Sequence, residues 1–295
     1  MKNTNRIFAI IVTFFPDEDN LFKLLTSLKN QGVNPVIIDN TGGTSLKIPE
    51  YIKSIYLPTN QGIAAAQNHG IRYATSQDAD FICFFDQDSQ INDNYISLLL
   101  SDWLFAKTTS NKPIATIGPR FIDSRHHFFY KIIRLTSKGI HNKIDVSSIQ
   151  SPLEVSLIIS SGSLISVSAL QDIGLMEEAF FIDYVDTEWC LRALAKGYAI
   201  FVSGQAVMQH AIGDKIIPLF GFHIPVHSAF RRYFRVRNAF WMFGLSHVPK
   251  LLALREIMIT QIQQLILAST QKDKKFYLKT WWQGIKDGLA GRPNR

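Results

Sequence analysis

Four short apolar runs fall within the first ninety residues, and each stops on polar groups. Residues 7–15 form a continuous β-branched and aromatic stretch, 35–39 read PVIID, 54–57 are shorter, and 81–85 run straight into Asp86-Gln87-Asp88. Unbroken runs of this length mark strands buried on both faces, as in a parallel sheet. Helical spacing lies between them, with Leu21, Leu24, Leu25 and Leu28 in 17–30, and a second helix over 63–73 after Asn60-Gln61-Gly62. Strand, helix, strand, strand, helix, strand predicts an α/β fold with a Rossmann-like, doubly wound sheet. Ligands of such sheets gather beyond the carboxyl ends of the strands. Thr13 with Phe14 and Phe15 after it, and the polar groups at 39–40, 60–62 and 86–88, all fall at that edge.

The second half is less regular. Residues 121–151 are polar and mixed, which predicts a hairpin or an ordered flap. Ser160-Ser161-Gly162-Ser163 interrupts an apolar stretch over 153–167 and predicts a strand with a close backbone approach at the glycine. A dense acidic cluster in 176–197 leads into a helix, and from 216 onward the chain reads as aromatic, basic and helical. The expected division is a sheet domain over 1–215 and a basic, aromatic helical extension over 216–295.

A net charge of +7, concentrated after Arg231, points to an anionic partner. The two cysteines, Cys83 and Cys190, sit in apolar contexts, which argues against a disulfide framework and fits a reducing compartment. Lys2 and Arg6 flank a run that resembles a short signal core. Pro16-Asp17-Glu18-Asp19 follows at once with no small-residue cleavage site, so the run reads as the first strand. No stretch reaches the roughly 20 apolar residues that span a bilayer. Residues 251–268 come nearest, but Arg255, Glu256 and three glutamines interrupt them, and an amphipathic helix is expected. The chain reads as soluble or peripheral.

Several groups can carry chemistry. Asp86 and Asp88 can both face one hard cation such as Mg²⁺ or Mn²⁺, which commonly bridges carboxylates to substrate phosphates. Taken alone the pair reads as a capped turn; its place after the fourth strand favours a site. Asp39 can accept a hydrogen bond from an imide N–H of a pyrimidine base, or be a solvated turn residue. Asn60, Gly62 and the helix start after them can offer N–H groups to an anion. In 177–192, carboxylates are embedded among Phe, Tyr, Val and Trp, where burial raises a pKa and suits a general base. Asp183 or Asp186 can equally cap the helix that follows, with Arg192 in an ion pair. His210 follows an apolar strand and becomes a metal or phosphate ligand only beside an existing carboxylate pair. Arg231, Arg232, Arg235 and Arg237 suit a diphosphate or a solvated helix face.

In order along the chain stand VTFFPD (12–17), VIIDN (36–40), NQGIAAAQNHGI (60–71), FFDQDSQ (84–90), SSGSLIS (160–166), FFIDYVDTEWCLRA (180–193), QHAIGD (209–214) and RVRN (235–238). This set resembles the inverting glycosyltransferases of family 2, with the GT-A fold, and more narrowly the bacterial enzymes that use dTDP-L-rhamnose. The resemblance covers about residues 6–240. It implies that Thr13, Phe14, Asp39, Asn60, Gly62, Asn68, Asp86 and Gln87 bind the donor. Asp86, Asp88 and His210 would hold Mg²⁺ or Mn²⁺, with Asp88 the more direct ligand. It places the base at Asp186. Val185 stands where relatives carry glutamate, so Asp183 and Glu188 stay candidates. Relatives often have arginine where this chain has Gln67, which assigns the diphosphate contact to Arg235 or Arg237.

The implied activity is transfer of L-rhamnose to a lipid-linked saccharide of a cell-surface, O-antigen-like polysaccharide, or use of another UDP- or dTDP-sugar. The implied setting is the cytoplasm, peripheral at the cytoplasmic face of the inner membrane, with homodimerisation left open. A nucleotidyltransferase would need an early Gly-rich loop with a basic residue, which VTFFPDEDN lacks. A nucleic-acid module would leave the apolar-embedded carboxylates unexplained.

Overall fold

The computed structural model describes residues 5–43, 46–123, 128–210, 216–219 and 222–291. Of His210 and of 216–219 and 222–225 it describes the backbone only. Along the chain run β1 (Ile7–Thr13), α1 (Glu18–Asn30), β2 (Asn34–Asp39), β3 (Lys53–Tyr56), α2 (Gly62–Ser76), β4 (Phe81–Asp86) and α3 (Tyr95–Thr109). β5 (Ile114–Asp123), β6 (Ile132–Leu135), β7 (His141–Ile144), β8 (Leu153–Val155), β9 (Leu164–Ser166), α4 (Val167–Ile173) and α5 (Val185–Ala195) follow. β10 (Ala199–His210), β11 (Ile216–Leu219), β12 (Phe222–Pro225), α6 (Ala229–Gly244), α7 (Lys250–Thr270) and α8 (Lys274–Leu289) complete it.

Eight strands form one sheet in the order β3-β2-β1-β4-β9-β5-β10-β8. The first four are parallel, β9 runs antiparallel between β4 and β5, and β8 is antiparallel to β10. The sheet is therefore mixed, as the short returning segments between its two halves require. Alternate faces of the central strands feed two apolar layers. Ile10 of β1 points to one, with Ala64, Ile71, Trp189 and Leu191, and Ile11 points to the other, with Leu21, Leu25, Leu28 and Leu99. Parallel register places Thr13 beside Asp39 and Val12 beside Asp86, so three strands end at one level.

Boundaries differ from expectation in places that have local causes. β1 stops at Thr13, and Phe14 and Phe15 leave the sheet into solvent, Phe15 with φ +47°. The stretch expected as one strand over 153–167 is split into β8 and β9. Between them Gly162 adopts φ +74°, and its N–H donates to Phe84 O at 2.6 Å. The expected hairpin in 121–151 is β6–β7. Ile216–Leu219 and Phe222–Pro225 pair as antiparallel strands where helix was expected, since Pro218 and Pro225 lack the N–H that a helix interior needs. α7 has 21 residues and, by length and composition alone, is long enough to cross a membrane, contrary to the sequence reading; a third of its apolar window (33%) is buried inside the molecule.

The C-terminal helices are not a loose appendage. Ala239, Trp241 and Met242 of α6 and Leu252 and Ala253 of α7 share the apolar layer that contains Ile10. Gly284 and Gly288 of α8 let it lie on α6, because a β-carbon there would meet Tyr233 O at 2.9 Å and Phe240 Cβ at 2.9 Å.

Gly162 is a position where the sheet has no room for a β-carbon. A β-carbon there would lie 2.5 Å from the Tyr95 hydroxyl and 2.8 Å from Met208 Sδ. Gly162→Ala is expected to lower unfolding free energy by about 2–4 kcal/mol, combining left-handed strain and overpacking. Urea denaturation followed by tryptophan fluorescence measures it.

Candidate active site

Beyond the strand ends, the loop at 160–163, the segment leading into α5, and the flanks of α6 and α7 enclose a cavity of about 690 Å³. Asp86, Asp88, Gln67, Asp183, Asp186 and Arg235 are among the residues that line it. Two of those carboxylates stand where β4 ends at Asp86 and passes into its turn at Asp88, and that turn is fastened from both sides. Gln87 reaches back to the end of β1, where its Oε1 accepts from Phe14 N at 2.7 Å and its Nε2 donates to Phe14 O at 3.2 Å. Ser161 Oγ accepts from Asp86 N at 3.1 Å. The middle residue of the Asp-x-Asp triplet is thus the tether that lets its neighbours face the cavity.

Across the cavity, Asp186 occupies the first turn of α5. Its Oδ1 accepts from Thr187 N at 2.8 Å. Burial raises its pKa above the ordinary carboxylate value, more than the backbone N–H groups of Thr187 and Ser160 lower it. The residue remains partly open on the cavity side. A carboxylate that is walled by protein yet accessible from one direction suits proton abstraction.

The other two carboxylates of the cluster are engaged elsewhere. Asp183, 4% exposed at its side chain, receives Arg231 through Nε at 3.2 Å and Nη2 at 3.1 Å, and Arg235 Nη1 at 3.3 Å. Burial pushes its carboxyl up, but the two guanidiniums outweigh this and hold it below the usual range. Glu188 lies 2% exposed and outside the cavity, where Arg192 grips both oxygens at 2.9 and 2.8 Å and His247 Nε2 stands 2.8 Å away. Burial again raises the carboxyl, and His247 and Arg192 bring it below its ordinary value. Ionised and paired, neither is placed as Asp186 is to take a proton.

The segment that carries this cluster has an unusual backbone. Phe181 (φ 65°, ψ −63°) is the centre of a positive-φ γ-turn, closed by Ile182 N donating to Phe180 O at 2.7 Å. Asp183 and Tyr184 follow at φ 64° and 65°. Side chains of α6 hold this path. Asn238 Nδ2 donates to Phe180 O, Ile182 O and Asp183 O at 2.9, 2.8 and 3.1 Å. Arg237 donates to Ala179 O at 2.7 Å and lies 3.9 Å over the Trp241 ring. The Phe181 ring stacks on Phe234 at 4.4 Å, and its carbonyl accepts from Ile63 N at 2.7 Å.

These contacts relocate several residues expected at the donor. In the first turn of α2 the Ile63 N–H is taken by Phe181 O at 2.7 Å and does not face an anion. Gly62 is needed because a β-carbon would lie 2.6 Å from Phe181. Asn68 is buried and fastens α2 to the following layer, donating to Met176 O and Glu178 Oε1 and accepting from Met176 N at 2.9 Å. Arg237 binds backbone carbonyls and does not line the cavity, whereas Arg235 does. Asn60 Oδ1 accepts from Gly62 N at 2.9 Å and from Asn40 Nδ2 at 3.0 Å. Thr13 and Asp39 lie side by side at the strand ends, with Asp39 Oδ1 accepting from Thr41 N at 3.0 Å and Thr13 Oγ1 buried with no protein partner. Phe14 is exposed next to them. His210 ends β10 opposite Asp123, and its side chain lies outside the described residues.

Asp86 and Asp88 supply hard oxygen donors on one turn facing one cavity. Among the described residues no group of three or more His, Cys, Asp or Glu could hold a metal. That set fits an ion that keeps water and takes its remaining ligands from phosphate, as Mg²⁺ and Mn²⁺ do, and not a fully caged one. Sequence reasoning missed Gln67 as a cavity residue. Its Oε1 is buried without a protein partner, and its Nε2 stands 3.4 Å from Ser160 Oγ. It also missed Asn238 as the clamp, although RVRN had been singled out; nothing local in a helix says which distant carbonyls it meets.

A family model, Glycosyl transferase family 2, matches residues 9–173, and the chain belongs to this family. It is 41% identical over 293 residues to the dTDP-rhamnosyl transferase RfbF of Shigella flexneri, covering 98% of this chain and 97% of that one. Among solved structures, TarS 1–349 of S. aureus in complex with UDP superposes with a TM-score of 0.57 at 15% identity, over 96% of this chain and 80% of that one. GalNAc-T7 with UDP, GalNAc and Mn²⁺ gives 0.57 at 12% identity, over 95% of this chain and 57% of that one. The fold is the GT-A fold, as the sequence predicted.

Two substitutions separate positioning from charge. Asp183→Asn leaves two arginines without a counter-charge and is expected to cost about 2–3 kcal/mol at neutral pH, below the range for a fully buried pair because both arginines keep some water. Since the folded pKa is depressed, this difference from the parent narrows as pH falls through it, below about 3.9; urea melts at several pH values read it. Asn238→Ala is expected to lower kcat by about 10- to 100-fold with little change in donor KM, because the base shifts while the donor pocket stays; steady-state kinetics check it.

Proposed function

We propose that this enzyme is an inverting rhamnosyltransferase that moves L-rhamnose from dTDP-L-rhamnose to a lipid-linked saccharide of a surface, O-antigen-like polysaccharide. One observation carries the reading: Asp86 and Asp88 share a single cavity with Asp186, whose pKa is raised by burial while its neighbours Asp183 and Glu188 are ionised and paired. The near-full-length similarity to a dTDP-rhamnosyl transferase supports the choice of donor.

In this reading Thr13 and Asp39 meet the base of the nucleotide, as their place at the ends of β1 and β2 suits. Asp86 and Asp88 would hold a divalent cation, whose charge offsets that of the departing nucleoside diphosphate. Asp186 accepts the proton of an acceptor hydroxyl, and that oxygen attacks the anomeric carbon as the bond to the diphosphate breaks, inverting the centre. The proton ends on Asp186 and the bonding electrons leave with the diphosphate. Arg235, next to the cavity, balances Asp183 and adds positive potential. Gln67 Oε1 offers an acceptor to a sugar hydroxyl. A lipid-linked acceptor keeps the enzyme at the cytoplasmic face of the inner membrane.

Purified protein with dTDP-rhamnose and a lipid-linked acceptor tests the assignment. Asp186→Asn should reduce kcat by about 10²- to 10⁴-fold; full transfer by that variant would remove Asp186 from the role. The base acts deprotonated, so the parent rate should fall as pH drops through a pKa above the ordinary value of about 3.9, and EDTA should abolish transfer until Mg²⁺ or Mn²⁺ is restored. Competition of dTDP against UDP distinguishes the donor nucleotide.

A further inference from the structure

The α7–α8 hairpin has two faces. Toward α6 it buries Thr260, Gln264 and Leu267 of α7 and Gly284 and Gly288 of α8, and Arg232 of α6 donates to Gln264 Oε1 at 2.8 Å and Thr260 O at 2.9 Å. On the opposite side, α7 exposes Leu251, Leu254, Met258, Ile262 and Leu265. Their spacing of three and four residues makes one continuous stripe. On α8, Leu278, Trp282 and Leu289, four and seven residues apart, lie along one side, with Trp282 69% and Leu289 70% exposed.

Helix phase joins the two stripes. Trp281 Nε1 donates to Gln261 Oε1 at 2.5 Å and marks where the helices face each other. At 100° per residue, the α7 stripe lies about 60° to one side of Gln261 and the α8 stripe about 80° to one side of Trp281. The short turn at 271–273 makes the helices antiparallel, so these opposite senses of rotation bring both stripes to the same face. Such a face is larger than the scattered apolar residues of an ordinary surface.

Its rim is basic. Lys275, Lys279 and Lys286 line the outer edge of α8, and Lys272 and Lys274 stand at the turn, all exposed. Residues 250–291 carry seven basic and three acidic side chains. Of the acidic ones, Glu256 is 12% exposed and paired with Arg255, and Asp287 accepts from Tyr233 and Gln283, which leaves Asp273 alone in the open. An apolar strip with a tryptophan, edged by lysines, is complementary to a bilayer of acidic phospholipid in both its acyl and headgroup layers.

We propose that this face of α7 and α8 is the surface by which the enzyme docks on an anionic phospholipid bilayer. The helices lie on the membrane and do not cross it, since the opposite side of α7 is committed to Arg232 and α6. The same helix walls the cavity with Leu252, Ala253 and Glu256, so docking holds the cavity about one helix diameter, roughly 10 Å, from the lipid. This deepens the reading of a lipid-linked acceptor and rests on it for its purpose, though not for its test.

Flotation of the full chain with phosphatidylglycerol-containing and pure phosphatidylcholine vesicles decides it, alongside dTDP affinity and sedimentation velocity. The parent should float with the acidic vesicles at least tenfold more than with neutral ones, and lose this in high salt. Met258→Glu/Ile262→Glu and, separately, Lys275→Glu/Lys279→Glu should each cut flotation about tenfold with circular dichroism and dTDP affinity unchanged. Flotation of both variants like the parent overturns the proposal. So does a dimer that Met258→Glu/Ile262→Glu turns into a monomer while vesicle binding persists, since the face then belongs to a second copy. Flotation as expected without rhamnosyl transfer would leave the docking surface standing and remove the donor assignment instead.

Discussion

Asn238 is the interaction on which the cavity depends. One side-chain amide gathers the carbonyls of Phe180, Ile182 and Asp183, and it does so where the backbone would not stay unaided. Phe181, Asp183 and Tyr184 each sit at positive φ, with Phe181 at the centre of a strained γ-turn. Such conformations cost on the order of 1–3 kcal/mol each and persist only where the surroundings over-determine them. Here the surroundings are a buried amide, the stacked Phe181–Phe234 pair, and two arginines on Asp183. Strain held at the entrance to α5 is what turns Asp186 toward the cavity while Glu188, two residues on, faces away.

That arrangement explains why the arginines of α6 are so densely spaced. Arg231 and Arg235 neutralise Asp183, Arg232 ties α6 to α7, and Arg237 covers Trp241 while donating to Ala179 and Phe180. Four like charges in seven residues are tolerable because each has a different destination. α6 thereby acts as a joint, linking the sheet core through Trp241 and Met242, the catalytic segment through Asn238, and the α7–α8 hairpin through Arg232. A change at the hairpin and a change at Asp186 are mechanically connected through one helix.

Much of the sheet was legible because a strand buried on both faces has to be apolar throughout, and α1 announced itself by Leu21, Leu24, Leu25 and Leu28 with Asp17 as its cap. The Asp86-Gln87-Asp88 turn was legible by its position, but the reason for Gln87 was not. Its partner is the backbone of Phe14, 73 residues earlier. For the same reason Asn68, Arg237 and the start of α2 looked like ligand contacts. Each is a polar group whose hydrogen bonds are satisfied by a distant stretch of chain, and polarity at a strand end reads alike whether the partner is a phosphate or a carbonyl. The exposed stripe of α7 was hidden by its composition, since Arg255 and Gln261 flank it and Glu256, Gln263 and Gln264, which also broke the apolar run, lie around the other sides of the helix.

The sequence by itself determined the alternation of strands and helices, the carboxyl edge at which polar groups collect, and the ordered motifs of a family 2 glycosyltransferase, because these follow from periodicities of two to four residues and from short contiguous patterns. Only the tertiary structure decided among Asp183, Asp186 and Glu188. All three stand within six residues in similar apolar company. What separates them is which side chains approach, and Arg231, Arg235 and His247 come from 48, 52 and 59 residues further along the chain. The charge state of a buried carboxylate is set by its neighbours in space, and those neighbours are assembled by the fold.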